Sequence, residues 1–191
     1  MTAKFARLLW WSLTVVVSMA GVEASAEEPS SVEYKIKAAY LLNFAKFIEW
    51  PATSFPMADT PVIFGVLGND PFGSDLEKTI VGKTIEGRTL RIKRFAEGED
   101  FRECQILFIS PSERKRLPQI LEKLRGSPIL TVSEMDEFLP AGGMINFTKQ
   151  ENTVRFEIEL EAASRVHLKM SSKLLQLARV IRETGERRKN P

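Results

Sequence analysis

Three short, predominantly apolar runs constrain this chain more than anything else in it: VIFGVLG (62–68), CQILFI (104–109) and ILTV (129–132). A strand that is apolar at every position is covered on both faces. Helical segments separate the runs. Asp70 followed by Pro71 reads as an N-cap and first-turn proline opening a helix to Val81, with Gly82 closing it. Ser110-Pro111-Ser112 leads into a second helix to Leu124, closed by Gly126, and Ser133 caps a short helix to Leu139. Buried strands alternating with helices predict a mainly parallel sheet in a three-layer α/β sandwich, loosely flavodoxin-like.

The flanks add to that centre. Residues 32–49 place Val32, Ile36, Tyr40, Phe44 and Phe47/Ile48 on one helical stripe, with Ser31 as cap and Trp50-Pro51 as the stop. Leu41, Leu42 and Ala45 widen the apolar zone, so this helix is deeply packed or also meets a partner. RTLRIKR (88–94) alternates as a charged edge strand. Near the other end, 144–149 and 153–161 flank the turn Gln150-Glu151-Asn152 as an antiparallel hairpin. Val154, Phe156, Ile158 and Leu160 share one face of its second strand. Arg155, Glu157, Glu159 and Glu161 share the other. A helical turn at 162–168 and a helix capped by Ser171/Ser172, carrying Leu174, Leu175, Leu177, Ala178 and Ile181, complete the domain.

Three segments are expected. Lys4 and Arg7, the apolar run 8–17 and Ala24-Ser25-Ala26 make residues 1–26 a cleavable signal peptide. Residues 27–181 form one α/β domain, and the polar stretch 182–191 is a frayed tail. The chain has 27 basic and 25 acidic residues, and Lys4, Arg7 and Glu23 lie in the leader, so the exported part is within about one charge of neutral. That balance gives no case for a nucleic-acid partner.

Candidate chemistry is sparse. Cys104 is the single cysteine, so no internal disulfide can form, and His167 is the single histidine, which removes most relays and transition-metal schemes. Gly82-Lys83-Thr84 lacks the glycine five positions earlier that a phosphate loop needs; that position is Glu77. Ser171-Ser172-Lys173 lacks the lysine spacing of a Ser-x-x-Lys nucleophile, because 174 and 175 are leucine. No catalytic, cofactor or metal site emerges, and an enzyme is not expected. A small ligand at the strand end between Gly68 and Gly73 is an alternative, resting on the general habit of open α/β sheets.

Seven blocks resemble the YfiR family of periplasmic regulators, in the family's order: KAAYLLNFAKFIEWP (37–51), GVLGNDPFG (65–73), CQILFIS (104–110), LTV (130–132), GGMINF (142–147), VRFEIEL (154–160) and SSKLLQLA (171–178). The resemblance implies a dimeric, non-enzymatic repressor. It would bind the periplasmic part of an inner-membrane diguanylate cyclase, lower cyclic di-GMP and biofilm formation, and be sequestered by an outer-membrane lipoprotein. Cys104 occupies the family's strand cysteine, so its redox role here is limited to an intermolecular bridge. The expected partner-binding residues are Arg155, Glu157, Glu159, Leu168, Lys169 and Ser171, taken as one exposed surface.

Overall fold

The computed structural model describes residues 31–181 apart from 97 and 152. The expected signal peptide (1–26), the stretch 182–191 and Asn152 of the expected hairpin turn lie outside the described residues, as does the side chain of Ser31. In chain order the elements are α1 (Ser31–Phe47), β1 (Ile48–Glu49), β2 (Val62–Leu67), α2 (Asp75–Ile80), β3 (Thr84–Ile85), β4 (Arg88–Phe95) and β5 (Ile106–Ile109). There follow α3 (Leu117–Lys123), β6 (Leu130–Ser133), β7 (Ile145–Gln150), β8 (Thr153–Glu159), α4 (Leu160–Ser164), β9 (Lys169–Met170), α5 (Ser172–Leu177) and β10 (Arg179–Ile181).

The main sheet runs β10-β8-β7-β6-β5-β2-β4-β3. Its five strands β4, β2, β5, β6 and β7 are mutually parallel and stand in the doubly wound 2-1-3-4-5 order. The three apolar runs supply its centre, as their composition predicts. They alternate between the two covered faces: Phe64, Val66, Ile106 and Phe108 enter one core, and Leu67, Leu107 and Ile109 the other. The first core is roofed by α1, α2, α4 and α5, the second by α3 and by the segments before β5 and after β6. The expected mainly parallel α/β sandwich is the observed fold.

Several local expectations are corrected. On α1 the buried stripe is Tyr34, Lys37, Ala38, Leu41, Leu42, Phe44 and Ala45, whereas Val32 and Ile36 are 61 % and 42 % exposed. Asp70 does not cap α2. Its Oδ1 accepts from Phe72 N at 2.8 Å in a turn of its own, and the helix begins five residues later. Residues 111–116 form a 3₁₀ turn, Ser110 accepting from Ser112 N, before α3 begins. Ser133 ends β6 with its Oγ donating to Ile109 O at 2.8 Å, so it caps nothing, and 134–143 is a succession of turns. Leu160 starts α4 rather than ending β8. Ile181 lies on β10, parallel to β8, because the chain leaves α5 at Ala178 in extended conformation. Cys104 precedes β5 instead of opening it. The edge position of β4 is covered at Arg88 and Thr89 by the two-residue β3.

Candidate contact surface and the charge network behind it

The expected contact residues divide between the two sides of the sheet. Val154, Phe156 and Ile158 of β8 pack into the first core, so Arg155 and Glu157 face the opposite side. There Arg155 is exposed, opposite Thr148 across the hairpin, and Glu157 accepts from Arg179 of β10 at 2.9 Å. Glu159 is only 8 % exposed and its Oε1 accepts from Glu161 N at 3.2 Å, capping α4. Leu168 is 3 % exposed and belongs to the first core. Burial takes both off any contact surface, and the alternation that seemed to expose Glu159 ends where β8 gives way to α4.

Lys169 and Ser171 sit on the side of the first core, in the link before α5. Ser171 is engaged: its hydroxyl accepts from Leu174 N at 3.3 Å as the cap of α5, and its own N donates to Phe47 O at 2.9 Å. The link is joined to the end of α1 by a short antiparallel ladder, Ile48 against Met170 and Glu49 against Lys169. Ile48 and Leu168 point inward, and Glu49 and Lys169 point outward side by side. His167 is exposed beside them at φ 61°, a left-handed conformation that turns the chain from α4 into β9. The end of the KAAYLLNFAKFIEWP block and the link just before the SSKLLQLA block thus form one outward-facing patch of Glu49, His167 and Lys169.

Behind α1 lies a cluster that sequence reasoning missed. Lys37 is 4 % exposed. Its Nζ lies 2.5 Å from Glu33 Oε1, pairs with Glu134 Oε2 just after β6, and stands 4.6 Å from the Tyr34 ring centre. Tyr34 donates to Glu134 Oε1 at 3.0 Å, and Lys149 approaches Glu33 Oε2 at 3.7 Å. Burial, then the charge of Glu134, pushes the Tyr34 hydroxyl well above its ordinary range. Every carboxylate oxygen here has a partner, so the cluster clamps α1 to the carboxyl ends of β6 and β7 and frees no base or nucleophile. The signal was available: positions 34, 37/38, 41 and 45 are three and four apart, which sets Lys37 on the buried stripe.

The strand end between Gly68 and Gly73 is occupied by the protein itself. A Cβ on Gly68 would lie 2.4 Å from Ser112 Oγ and 2.8 Å from Glu113 Cγ, and Ser112 Oγ accepts from Asn69 N at 2.9 Å. Asp70 is drawn to Arg94 Nε at 2.6 Å. The crevice that such sheets use for ligands is therefore plugged between β2 and β5. Cys104 is 1 % exposed, its Sγ 3.0 Å from Phe101 O, and burial pushes its thiol up to about 12. A redox role would need the domain to open there. Among the described residues, no group of three or more His, Cys, Asp or Glu is placed to hold a metal, and no helix is long and apolar enough to cross a membrane.

No curated protein matches the chain. The profile of the YfiR/HmsC-like family matches residues 34–179, from the buried face of α1 to the first residue of β10. That span takes in Tyr34, Lys37 and Glu134 of the clamp, the five parallel strands, the hairpin and the α1–link ladder. Its seven blocks are held together in space as well as in order: the chain belongs to the YfiR/HmsC-like family.

Proposed function

We propose that the chain is an exported periplasmic regulator that binds the periplasmic part of a membrane-anchored sensor, a diguanylate cyclase, and holds it inactive, lowering cyclic di-GMP output. The observation that carries this reading is the family match over 34–179, which supports a signalling regulator of the diguanylate cyclase kind. The site geometry agrees with it, since the conspicuous titratable cluster is committed to positioning α1. The reading includes a homodimer and an outer-membrane lipoprotein that withdraws the regulator from its target.

The mechanism is a population shift. A repressor moves its target toward the inactive state only by binding that state more tightly than the active one. A rigid patch suits the task, because little conformational entropy is lost on docking. Glu49, His167 and Lys169 form such a patch, with the main-chain ladder and the buried Leu168 fixing its shape. Deleting the gene is expected to raise cyclic di-GMP, and returning it on a plasmid to restore the lower level. Unchanged cyclic di-GMP in the deletion strain would contradict the proposal.

A further inference from the structure

Exposed apolar side chains are unevenly distributed over the molecule. Five large ones stand out among the described residues, and four of them belong to the helices over the first core: Val32 and Ile36 on α1, Val81 just after α2 and Leu177 on α5. The fifth, Met57, lies in the loop before β2, and α3 over the second core has none. Because α1 packs beside both α2 and α5, these helices form one layer. On α1 the outward stripe runs from Val32 and Ile36 through Ala39 and Asn43, three and four residues apart, with Tyr40 and Phe47 half-buried at its flank. The face of α1 turned away from the core is therefore largely apolar too.

The charges of this layer do not cancel. The carboxylates on α1, α2, α4 and α5 are Glu33, Asp75, Glu77 and Glu161, and each already faces a cation. Glu33 faces Lys37 and Lys149, Asp75 lies 3.5 Å from Lys78, Glu77 2.6 Å from Arg94, and Glu161 3.8 Å from Arg165. Lys35, Lys46 and Lys173 are exposed and make no ion pair with any described residue. Beyond the end of α1, Glu49 stands beside Lys169 and adds no net charge. Three unmatched lysines thus surround the apolar side chains. The described grooves, beside Trp50, Arg125, Phe101 and Lys37, are lined by other residues. A partner helix is received in a groove, whereas a bilayer surface needs only a basic face with apolar side chains standing out of it.

We propose that the helical layer over the first core docks on an anionic lipid surface, Lys35, Lys46 and Lys173 meeting the phosphates while Val32, Ile36 and Leu177 enter the head-group region. The docking does not rest on the cyclase reading, so either can fail without the other. The test is co-sedimentation of the exported chain with vesicles of phosphatidylglycerol mixed into phosphatidylcholine, and of phosphatidylcholine alone. Binding is expected only to the mixed vesicles, and it should weaken as salt is raised. Lys35→Gln/Lys46→Gln is expected to weaken it by about fivefold for each lysine removed. Removing the same charge from the other face, in Lys115→Gln/Lys123→Gln, should change it by under about twofold. Val32→Ser/Ile36→Ser is expected to weaken it about threefold or more with no change in the salt dependence. Equal binding to both kinds of vesicle would overturn the proposal, as would an equal loss in the two lysine double variants. Absence of vesicle binding, with an amphipathic Leu/Glu peptide held by the parent chain and lost in Lys35→Gln/Lys46→Gln, would overturn it in favour of an acidic protein helix.

Discussion

The two faces of the sheet are built in different ways. On the first, α1 is held by every device available to it: apolar burial, a ring cluster of Tyr40, Phe44, Phe147 and Phe156 with centres 5.0–6.1 Å apart, the Lys37 clamp and the ladder to the link. On the second, α3 is the only helix among the described residues, and irregular chain supplies Phe101, Cys104, Met135 and Phe138. The described cores contain 28 residues on the first face and 12 on the second, so the first carries most of the apolar stabilisation. The outward patch assigned to function is mounted on the first face. The lesson is that the family's longest block specifies a platform as much as a helix.

The comparison can be broken most forcefully at Lys37. Lys37→Met leaves Glu33 and Glu134 paired with no buried cation, and about 3 kcal/mol of stability is expected to be lost in urea unfolding. Replacing Glu33 and Glu134 with glutamine in the same protein should recover much of that loss, because the uncompensated charges are then gone. A change under about 0.5 kcal/mol for Lys37→Met would show that the clamp is solvent-relaxed and the faces more alike than described. On the second face the corresponding weak point is steric. A Cβ on Gly143 would lie 2.3 Å from Phe138 Cε1, so Gly143→Ala is expected to displace the ring and cost about 1–3 kcal/mol.

Much of this architecture is legible in the sequence, and the failures share a cause. Short runs without polar interruption, such as VIFGVLG and the ILFI of 106–109, identify buried strands because they are too short for a helix and leave no face for solvent. Capping residues mislead where a tertiary partner claims the side chain first, as Ile109 O claims Ser133 and Arg94 claims Asp70. On α1 the expected stripe is buried at Phe44 and Ile48 and fails at its start, where the apolar Val32 and Ile36 are exposed and the charged Lys37 is buried, because a lysine with two carboxylates is acceptable inside. Of the expected contact residues, Arg155 is exposed as alternation predicts, and Lys169 is exposed on the link before the last helix. Their separation across the sheet, and the burial of Glu159 and Leu168, depend on where the last helices dock, which local pattern does not contain.

Cys104 gives a smaller effect with a definite pH signature. Its thiol titrates near 9 when unfolded and is pushed up to about 12 in the fold. The group therefore contributes stability fully below pH 9, and loses it progressively as pH rises from 9 toward 12, by about 1.4 kcal/mol per pH unit within that window. The slope of unfolding free energy against pH between 9 and 10 should be shallower by about 1 kcal/mol per pH unit in Cys104→Ala than in the parent protein, since the unfolded thiol is only part ionised there. In the native state at pH 8 the thiol should resist Ellman's reagent, reacting once urea opens the second core. The smallest effect is expected at the open edge, where Glu157→Gln removes an ion pair to an arginine 78 % exposed and should cost under about 1 kcal/mol.

The central claim, that the first face carries a regulatory contact, is tested most directly by complementation of the deletion strain. Plasmid copies carrying Lys169→Glu on the link and Arg155→Glu on the opposite side of the sheet would be compared at equal periplasmic levels, with cyclic di-GMP as the readout. The account predicts that Arg155→Glu restores the low cyclic di-GMP of the parent and that Lys169→Glu leaves it raised. Full restoration by Lys169→Glu, with failure of Arg155→Glu, would contradict it and move the contact to the other face.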